Sequence, residues 1–236
     1  MSRLLWLDSA ESTMSVARDE KYGHGDLVAT LNQTSGRGRL DRRWVMKPGE
    51  GLAMTLVLER PTLPERITRI PLLAGIALKR VLAEFSPGIE FDLKWPNDLL
   101  VSDKKLAGIL AEVRNETSVM VGLGINTTAT VLDIEKATSL SLIGVTALPE
   151  QIAEAWRTAL LELAERVDAD SFIELAERSV ATIGKTVRVE LPDGDVVLGV
   201  AVGIGGDGTL LIETKDGTMT VLAGDVTHLR HETVNK

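Results

Sequence analysis

The sequence predicts an α+β fold in two parts: a mixed sheet with packed helices over residues 1–183, and a small β-barrel over residues 184–236. Two observations carry this. Up to about residue 180, short apolar runs of strand length alternate with longer segments whose apolar residues recur every three or four positions, the mark of helices laid on a sheet. From Gly184 onward only short β-branched runs remain, separated by Asp-Gly and Gly-rich turns. The size agrees, because 236 residues suffice for one main core and one small satellite domain.

Taken in order, RLLWLD (3–8) reads as a short strand and STMSVARDE (12–20) as a helix with Ser12 or Thr13 at its cap. DLVATL (26–31) is a strand. Residues 32–50 show no clean period and carry Gly and Pro, so they form a long loop. GLAMTLVL (51–58) is apolar and of strand length. Ile70, Leu73, Ala77, Val81 and Phe85 share one helical face, which predicts a helix over 65–85. IEFDLKW (89–95) is a strand stopped by Pro96. LLVSDKKLAGILAEV (99–113) is a hairpin turning at Ser102-Asp103, and SVMVGLGIN (118–126) is a further strand. Ile152, Trp156, Leu160, Leu163 and Val167 predict a helix over 149–167, and a shorter one follows near 171–182. TVRVEL, VVLGVAVGI, TLLIET, TMTVL and VTHLR then form a string of hairpins, which fits a barrel of the SH3-like kind.

Composition removes several function classes. A net charge of −8 argues against a general binder of nucleic acid or anionic membranes. With no cysteine, disulfides and thiolate metal sites are excluded. The first residues, MSRLLWLDSAES, carry too short an apolar run for a signal peptide, and no stretch approaches the about 20 apolar residues of a membrane helix. The expected location is the cytoplasm. GIGGDG (203–208) matches the dinucleotide pattern, but a strand-like run follows it where a phosphate-binding helix is required, so it reads as a hairpin turn. No P-loop motif occurs, and three histidines, two of them in the last nine residues, give poor support to a His-based triad or a zinc site.

The strongest signal is GRGRLDRRW (36–44). Residues 32–50 hold Arg37, Arg39, Arg42, Arg43 and Lys47 against Asp41 and Glu50, five cations against two anions in an acidic chain. Arginine forks match phosphate or carboxylate oxygens, and Gly36 and Gly38 let backbone amides approach an anion closely. KWPNDLL (94–100) places Lys94, Asn97 and Asp98 at a strand end, where ligand groups gather in α/β folds; taken alone it is equally compatible with a plain strand-end turn. KKLAGIL (104–110) brings Lys105 and Gly108 onto an apolar strand, where a lysine either meets an anion or points to water.

In this order and spacing, GRGRLDRRW, KWPND, KKLAGIL and VGLGIN resemble the biotin protein ligase family, from about Asp8 through Asn126 and more loosely to residue 231. The resemblance implies a class II synthetase-like catalytic sheet, activation of biotin by ATP and Mg2+ to biotinyl-5′-adenylate, and transfer of biotin to one lysine of a biotin carboxyl carrier protein or domain. It implies that Ser12 and Thr13, in the place of a Ser-Thr-Asn segment, meet the ureido end of biotin, with Met14 in the asparagine's place and Gln33 nearby. Gly36, Arg37, Gly38 and Arg39 match the loop that folds over biotin and its adenylate. Arg42 matches an arginine at phosphate, and Trp44 a tryptophan against adenine. Lys94, Asn97 and Asp98 match the nucleotide and metal side, with Asp98 the expected magnesium ligand. Lys105, beside Gly108, matches the lysine at the biotin carboxylate and α-phosphate, and Asn126 a residue near adenine. Lys105, Arg39 and Arg42 are thus the expected catalytic groups.

The chemistry suits these residue types. A carboxylate attacking a phosphate brings two anions together, and cations must neutralise both them and the charge that grows in the transition state. No nucleophilic side chain is needed. The arginine loop reads as a cationic lid, pliable through glycine, that keeps water from a labile mixed anhydride.

Three departures stand out. Met14 removes an amide, so Met14→Asn is expected to tighten biotin. Leu40-Asp41 replaces an Arg-Gly pair, which sets a carboxylate beside the phosphate-binding arginines. The resemblance begins by Asp8, so the DNA-binding helix-turn-helix of some members, and repression with it, is expected to be absent. The competing readings are a lipoate-type ligase, which would lack the GRGR loop, a non-catalytic biotin-binding protein, and an SH3-barrel interaction module on a scaffold. The sequence leaves a monomer and a homodimer equally open.

No specific DNA binding is expected. Residues 188–232 hold three Lys or Arg against eight Asp or Glu, a net of −5 that repels phosphate backbones. An anisotropy titration at physiological salt checks this; sub-micromolar, sequence-selective binding would overturn it.

Overall fold

The computed structural model describes residues 2–40, 42–59, 68–132, 136–166 and 168–229. Asp41 and the first turn of the helix expected from residue 65 lie outside the described residues. The chain runs through β1 (Leu4–Leu7), α1 (Thr13–Ala17), β2 (Leu27–Thr30), β3 (Gly36–Arg37), β4 (Arg43–Trp44), β5 (Gly51–Glu59), α2 (Ile70–Phe85), β6 (Asp92–Lys94), β7 (Asp98–Val101), β8 (Lys104–Asn115) and β9 (Ser118–Asn126). It continues through α3 (Pro149–Arg166), α4 (Ala169–Ser179), β10 (Thr186–Glu190), β11 (Val196–Ile204), β12 (Leu210–Thr214), β13 (Gly217–Val221) and β14 (Asp225–His228). No helix among the described residues is long and apolar enough to cross a membrane.

The main sheet has seven strands in the order β1-β2-β5-β9-β8-β7-β6, with β1 parallel to β2 and the other neighbours antiparallel, a mixed sheet as expected. The β7–β8 hairpin turns at Ser102 and Asp103, whose φ values of 49° and 62° give the left-handed pair that a two-residue turn between twisted strands requires. Alternation along the strands sorts the two faces. Leu27 and Ala29 of β2, Leu52, Met54, Leu56 and Leu58 of β5, and Val119, Val121, Leu123 and Ile125 of β9 join the core under α2 and α3. α3 offers it Ile152, Trp156, Leu160 and Leu163, and the Trp156 indole donates to the Ala74 carbonyl of α2 at 3.0 Å. The opposite face carries only a small cluster, in which Met14 and Ala17 of α1 meet Tyr22, Val28, Val57 and Met120. Beyond that cluster the same face of β9 presents Gly122 and Gly124, so it is bare where the helix face is filled.

The second sheet is antiparallel, in the order β13-β12-β11-β10-β14. GIGGDG spans the turn between β11 and β12, not a nucleotide site. The Gly208 carbonyl in that turn accepts from the Trp95 indole at 2.9 Å, and the Trp95 amide donates to Thr182 Oγ1 at 3.1 Å. The apolar core runs without a break into Val187, Val189, Ala201, Leu210 and Ile212. The C-terminal sheet is therefore joined to the first part and not hung from it.

Local differences from expectation have local causes. α1 stops at Ala17, and Ser12 makes no side-chain cap bond; the Gln33 side chain accepts from the Thr13 amide instead, at 2.8 Å. β6 is only Asp92–Lys94, because Ile89 is turned back onto Ser86. α4 begins at Ala169, where Asp168 caps it by accepting from the Ser171 amide at 2.9 Å. The loop 32–50 contains a hairpin, with Gly36 paired to Trp44 and Arg37 to Arg43.

His228 of β14 lies 3.2 Å from Thr182 Oγ1 at the seam between the sheets, and burial, followed by Lys185 and Lys94, pushes its imidazole down to about 4. The unfolded chain takes up this proton near 6.5, so stability is full above that pH and is lost as pH falls from 6.5 toward 4. Thermal melts between pH 7.5 and 4.5 should show the midpoint falling faster for the native chain than for His228→Gln; parallel curves would refute this.

Candidate active site

A cavity of about 710 Å³ opens on the bare face of the main sheet. Its floor is made by glycines. A Cβ on Gly124 would lie 2.4 Å from Cε2 of Trp44, so there the indole rests on backbone that only glycine leaves clear, and its other end reaches Gly108. The Trp44 Nε1 is buried without a hydrogen-bond partner. Gly36 stands behind the wall: its Cβ would meet the Trp44 carbonyl at 2.4 Å and Gln33 Nε2 at 2.6 Å. It is not among the cavity's lining residues, and it lets β3 press against Trp44.

Over β5 and β9 the buried lining is neutral. Ser12, Thr13 and Gln33 are buried there, and Thr13 Oγ1 lies 2.8 Å from Thr55 Oγ1 and 3.3 Å from Gln33 Oε1. Met14 lines the cavity with its sulfur packed toward Gly122, while the rest of its surroundings are apolar. Asn126 lines it as well, but its amide nitrogen is committed to the Thr138 carbonyl at 2.9 Å.

Over β8, β7 and β6 the lining is charged. The turn Trp95-Pro96-Asn97 closes the β6–β7 hairpin and pairs Lys94 with Asp98 in register. Trp95 is buried and bonded to the second sheet, while Asn97 Nδ2 donates to the Ile109 carbonyl at 2.7 Å, so both flanks of the turn are fixed. Asn97 thus spends its amide on structure, and its Oδ1 accepts from Arg39 Nη1 at 3.4 Å. Lys105 Nζ lies 2.6 Å from Asp98 Oδ1 and 5.9 Å from the centre of the Trp44 ring. Burial first, and then Lys105, Lys136 and Arg42, push the Lys94 ammonium below its usual range, with Asp98 opposing them. Burial and Arg42 push Arg39 the same way, again against Asp98.

The arginine hairpin closes this end. The Gly38 amide donates to the Arg42 carbonyl at 2.7 Å, and Leu40 at the apex has a φ of 51°, a left-handed conformation that costs a side-chain-bearing residue about 1–2 kcal/mol. Arg37 lies 3.4 Å from Glu112, which also holds Arg18 at 2.7 Å. Arg42 pairs with Asp225, at the start of β14.

The structure therefore gathers Ser12, Thr13, Met14, Gln33, Arg37, Gly38, Arg39, Arg42, Trp44, Lys94, Asn97, Asp98, Lys105, Gly108 and Asn126 around one cavity. Sequence reasoning missed Thr55, Gly122, Gly124, Lys136 and Asp225. The alternate glycines of VGLGIN were a readable sign of a bare strand face, whereas nothing near Asp225 points to a partner 183 residues away.

A mixed sheet with one cavity that carries neutral polar groups and a cluster of cations, and a C-terminal sheet joined to it, suits an enzyme that handles a small acid and phosphates. Comparison with known proteins makes this specific. Residues 6–126 match the biotin/lipoate A/B protein ligase family and residues 182–229 the biotin protein ligase C terminal domain, so the chain belongs to the biotin protein ligases. The biotin--[acetyl-CoA-carboxylase] ligase of Mycobacterium tuberculosis is 37% identical over 216 residues, 87% of this chain and 80% of that protein. The bifunctional ligase/repressor BirA of Bacillus subtilis is 34% identical, over 93% of this chain and 71% of its own length. The biotin protein ligase of Aquifex aeolicus, solved in complex with biotin and ATP, superposes with a TM-score of 0.80 at 28% identity, covering 98% of this chain and 100% of that one.

The setting of Met14 adds a cost that the sequence did not show. An asparagine there buries an amide among Ala17, Tyr22, Val28, Val57 and Met120. Met14→Asn is expected to lower the stability by about 1–3 kcal/mol in urea denaturation, whatever it does for the ligand. An unchanged midpoint would mean that the amide finds a partner in the cavity.

Proposed function

We propose that this chain activates biotin with ATP to biotinyl-5′-adenylate and passes the biotin to a lysine of a biotin carboxyl carrier domain. The observation that supports this best is the gradient across the sheet, from Ser12, Thr13 and Gln33 over β5 and β9 to Arg39, Arg42, Lys94 and Lys105 about Asp98 over β8, β7 and β6. A ligand with a neutral polar ring at one end and carboxylate and phosphates at the other fits that gradient. The division into a catalytic part, 1–183, and a C-terminal part, 184–236, belongs to the same reading.

In this mechanism Thr13 and Gln33 face the ureido ring, and Trp44, seated on the glycine floor, lies against the adenine. Lys105 and Arg39 hold the carboxylate and the α-phosphate together, so that a carboxylate oxygen attacks phosphorus in line and pyrophosphate leaves. Lys94 and Arg42 receive the departing phosphates. No side chain takes a proton in this step, because both reactants are already anions. In the second step the carrier lysine attacks the biotinyl carbonyl and AMP leaves.

Among the described residues no set of three or more His, Asp or Glu is placed to hold a metal. The donor set fits Mg2+ all the same, because that ion needs only one or two protein carboxylates when phosphates supply the rest. Asp98 would hold it, and the ion would add positive charge at the phosphates.

The test is pyrophosphate release from ATP with biotin, followed by the mass gain of a carrier domain, with lipoate in place of biotin as the control. No release with biotin, or equal release with lipoate, would sink the reading. In the same assay Lys105→Ala should lose about 10²- to 10³-fold in rate, the usual worth of one preorganised charge in a transition state. More than half of the native rate would remove Lys105 from its role.

A further inference from the structure

The C-terminal sheet reaches into the cavity at one charged point. Asp225 lines it, and its carboxylate pairs with Arg42 of the arginine hairpin. Next to it the Gly224 carbonyl accepts from Arg39 Nη1 at 3.4 Å. Neither contact is accidental to the fold. Asp225 is held by its register with Glu190 in the β10–β14 ladder. Gly224 is pressed onto β10, since a Cβ there would lie 2.6 Å from Val189 Cγ1 and 2.9 Å from the Glu190 carbonyl. The two backbone positions are thus fixed, while Arg42 stands on a hairpin whose side chain is 65% exposed.

We propose that Asp225 is a positioning residue that competes with ligand phosphate for Arg42. It parks the guanidinium at the cavity mouth, and a phosphate that recruits Arg42 must displace the Asp225 carboxylate. The pair is loose enough for this, because both side chains are solvent-exposed and water screens their attraction. A phosphate chain carries several negative charges and outbids one carboxylate, so the exchange is downhill but its affinity is trimmed. The C-terminal sheet then sets how tightly nucleotide and pyrophosphate are held, and how readily the hairpin lets go. The inference rests on the ligase reading for its meaning, though its first test does not need catalysis.

The test is Asp225→Asn, which keeps the shape and removes the charge, with Asp225→Glu as the conservative variant. The probe is inorganic pyrophosphate, titrated by calorimetry into the intact chain at low salt. Asp225→Asn should bind it about 3- to 10-fold more tightly, the scale of one screened surface charge, and Asp225→Glu should stay near the native value. The gain should shrink in 0.5 M salt and vanish when Arg42→Ala is the background. In the ligase assay the KM for ATP should fall with Asp225→Asn while the turnover number holds or drops, a split that a merely structural role would not give. Unchanged or weaker pyrophosphate binding in Asp225→Asn, or an equal gain without Arg42, overturns the proposal. A native chain that binds pyrophosphate with these differences but releases none from ATP and biotin would sink the ligase reading and leave this one standing.

Discussion

Like charge held close together is the constraint on which the rest of the molecule depends. Arg39, Arg42, Lys94, Lys105 and Lys136 face one cavity, in which Asp98 pairs with Lys105 and Asp225 with Arg42. Unit charges about 4 Å apart interact by roughly 4 kcal/mol at a partly solvated site, so such a group spreads unless its backbone is fixed. Lys94 is fixed here by a hairpin clamped at both flanks, Trp95 to Thr182 and Gly208 and Asn97 to Ile109 of β8. Burial first, and after it the tension with Lys105, Lys136 and Arg42, depresses the Lys94 ammonium. A multiply charged anion is the economical way to relieve that tension, and that is what turns a structural awkwardness into a binding site.

The same logic explains the bare face. A mainly antiparallel sheet commonly packs one face and leaves the other open, and here α2 and α3 cover one, over aliphatic side chains from alternate positions of β2, β5 and β9. On the other face, α1 covers only the part around Met120 and Val57. The rest of β9 carries Gly122 and Gly124, and β8 carries Gly108, so the strands supply flat backbone where side chains would fill the space. Trp44 lies on that floor because the Gly36–Trp44 pairing of the small hairpin carries it there. The glycines cost strand stability, and the nine-residue pairing of β5 with β9 offsets it with an unbroken ladder from Gly51 to Glu59.

Much of this was legible in the chain. Periodicity gave the two-part organisation, and the Ser102-Asp103 turn could be read from residue chemistry. The motifs led to the cavity's arginines and to Lys94, Asp98 and Lys105, because arginine, lysine and glycine crowded into short loops have few structural uses. What stayed hidden was pairing over distance. That the Gln33 side chain, rather than Ser12, would cap α1 depends on the Ala10–Gln33 bridge, which no local pattern announces. That Gly36 serves packing, and Asn97 structure as much as ligand, depends on what stands opposite them. Asp225 looked like one more acidic residue in an acidic tail, because its meaning comes wholly from where β14 ends up.

The joined core gives that tail its place in the chemistry. An interaction module on a scaffold would meet the first part through a polar, separable interface. Instead Val187, Val189, Ala201 and Leu210 share one apolar cluster with Leu93, Trp95 and Phe172. The indole and amide of Trp95 are both bonded across the seam, one residue from Lys94 and two from Asn97. The second sheet therefore meets the cavity both at the turn between Lys94 and Asp98 and at Arg42 through Asp225. Two sheets that are far apart in sequence thus act on the same few charges, one by holding them and the other by countering them.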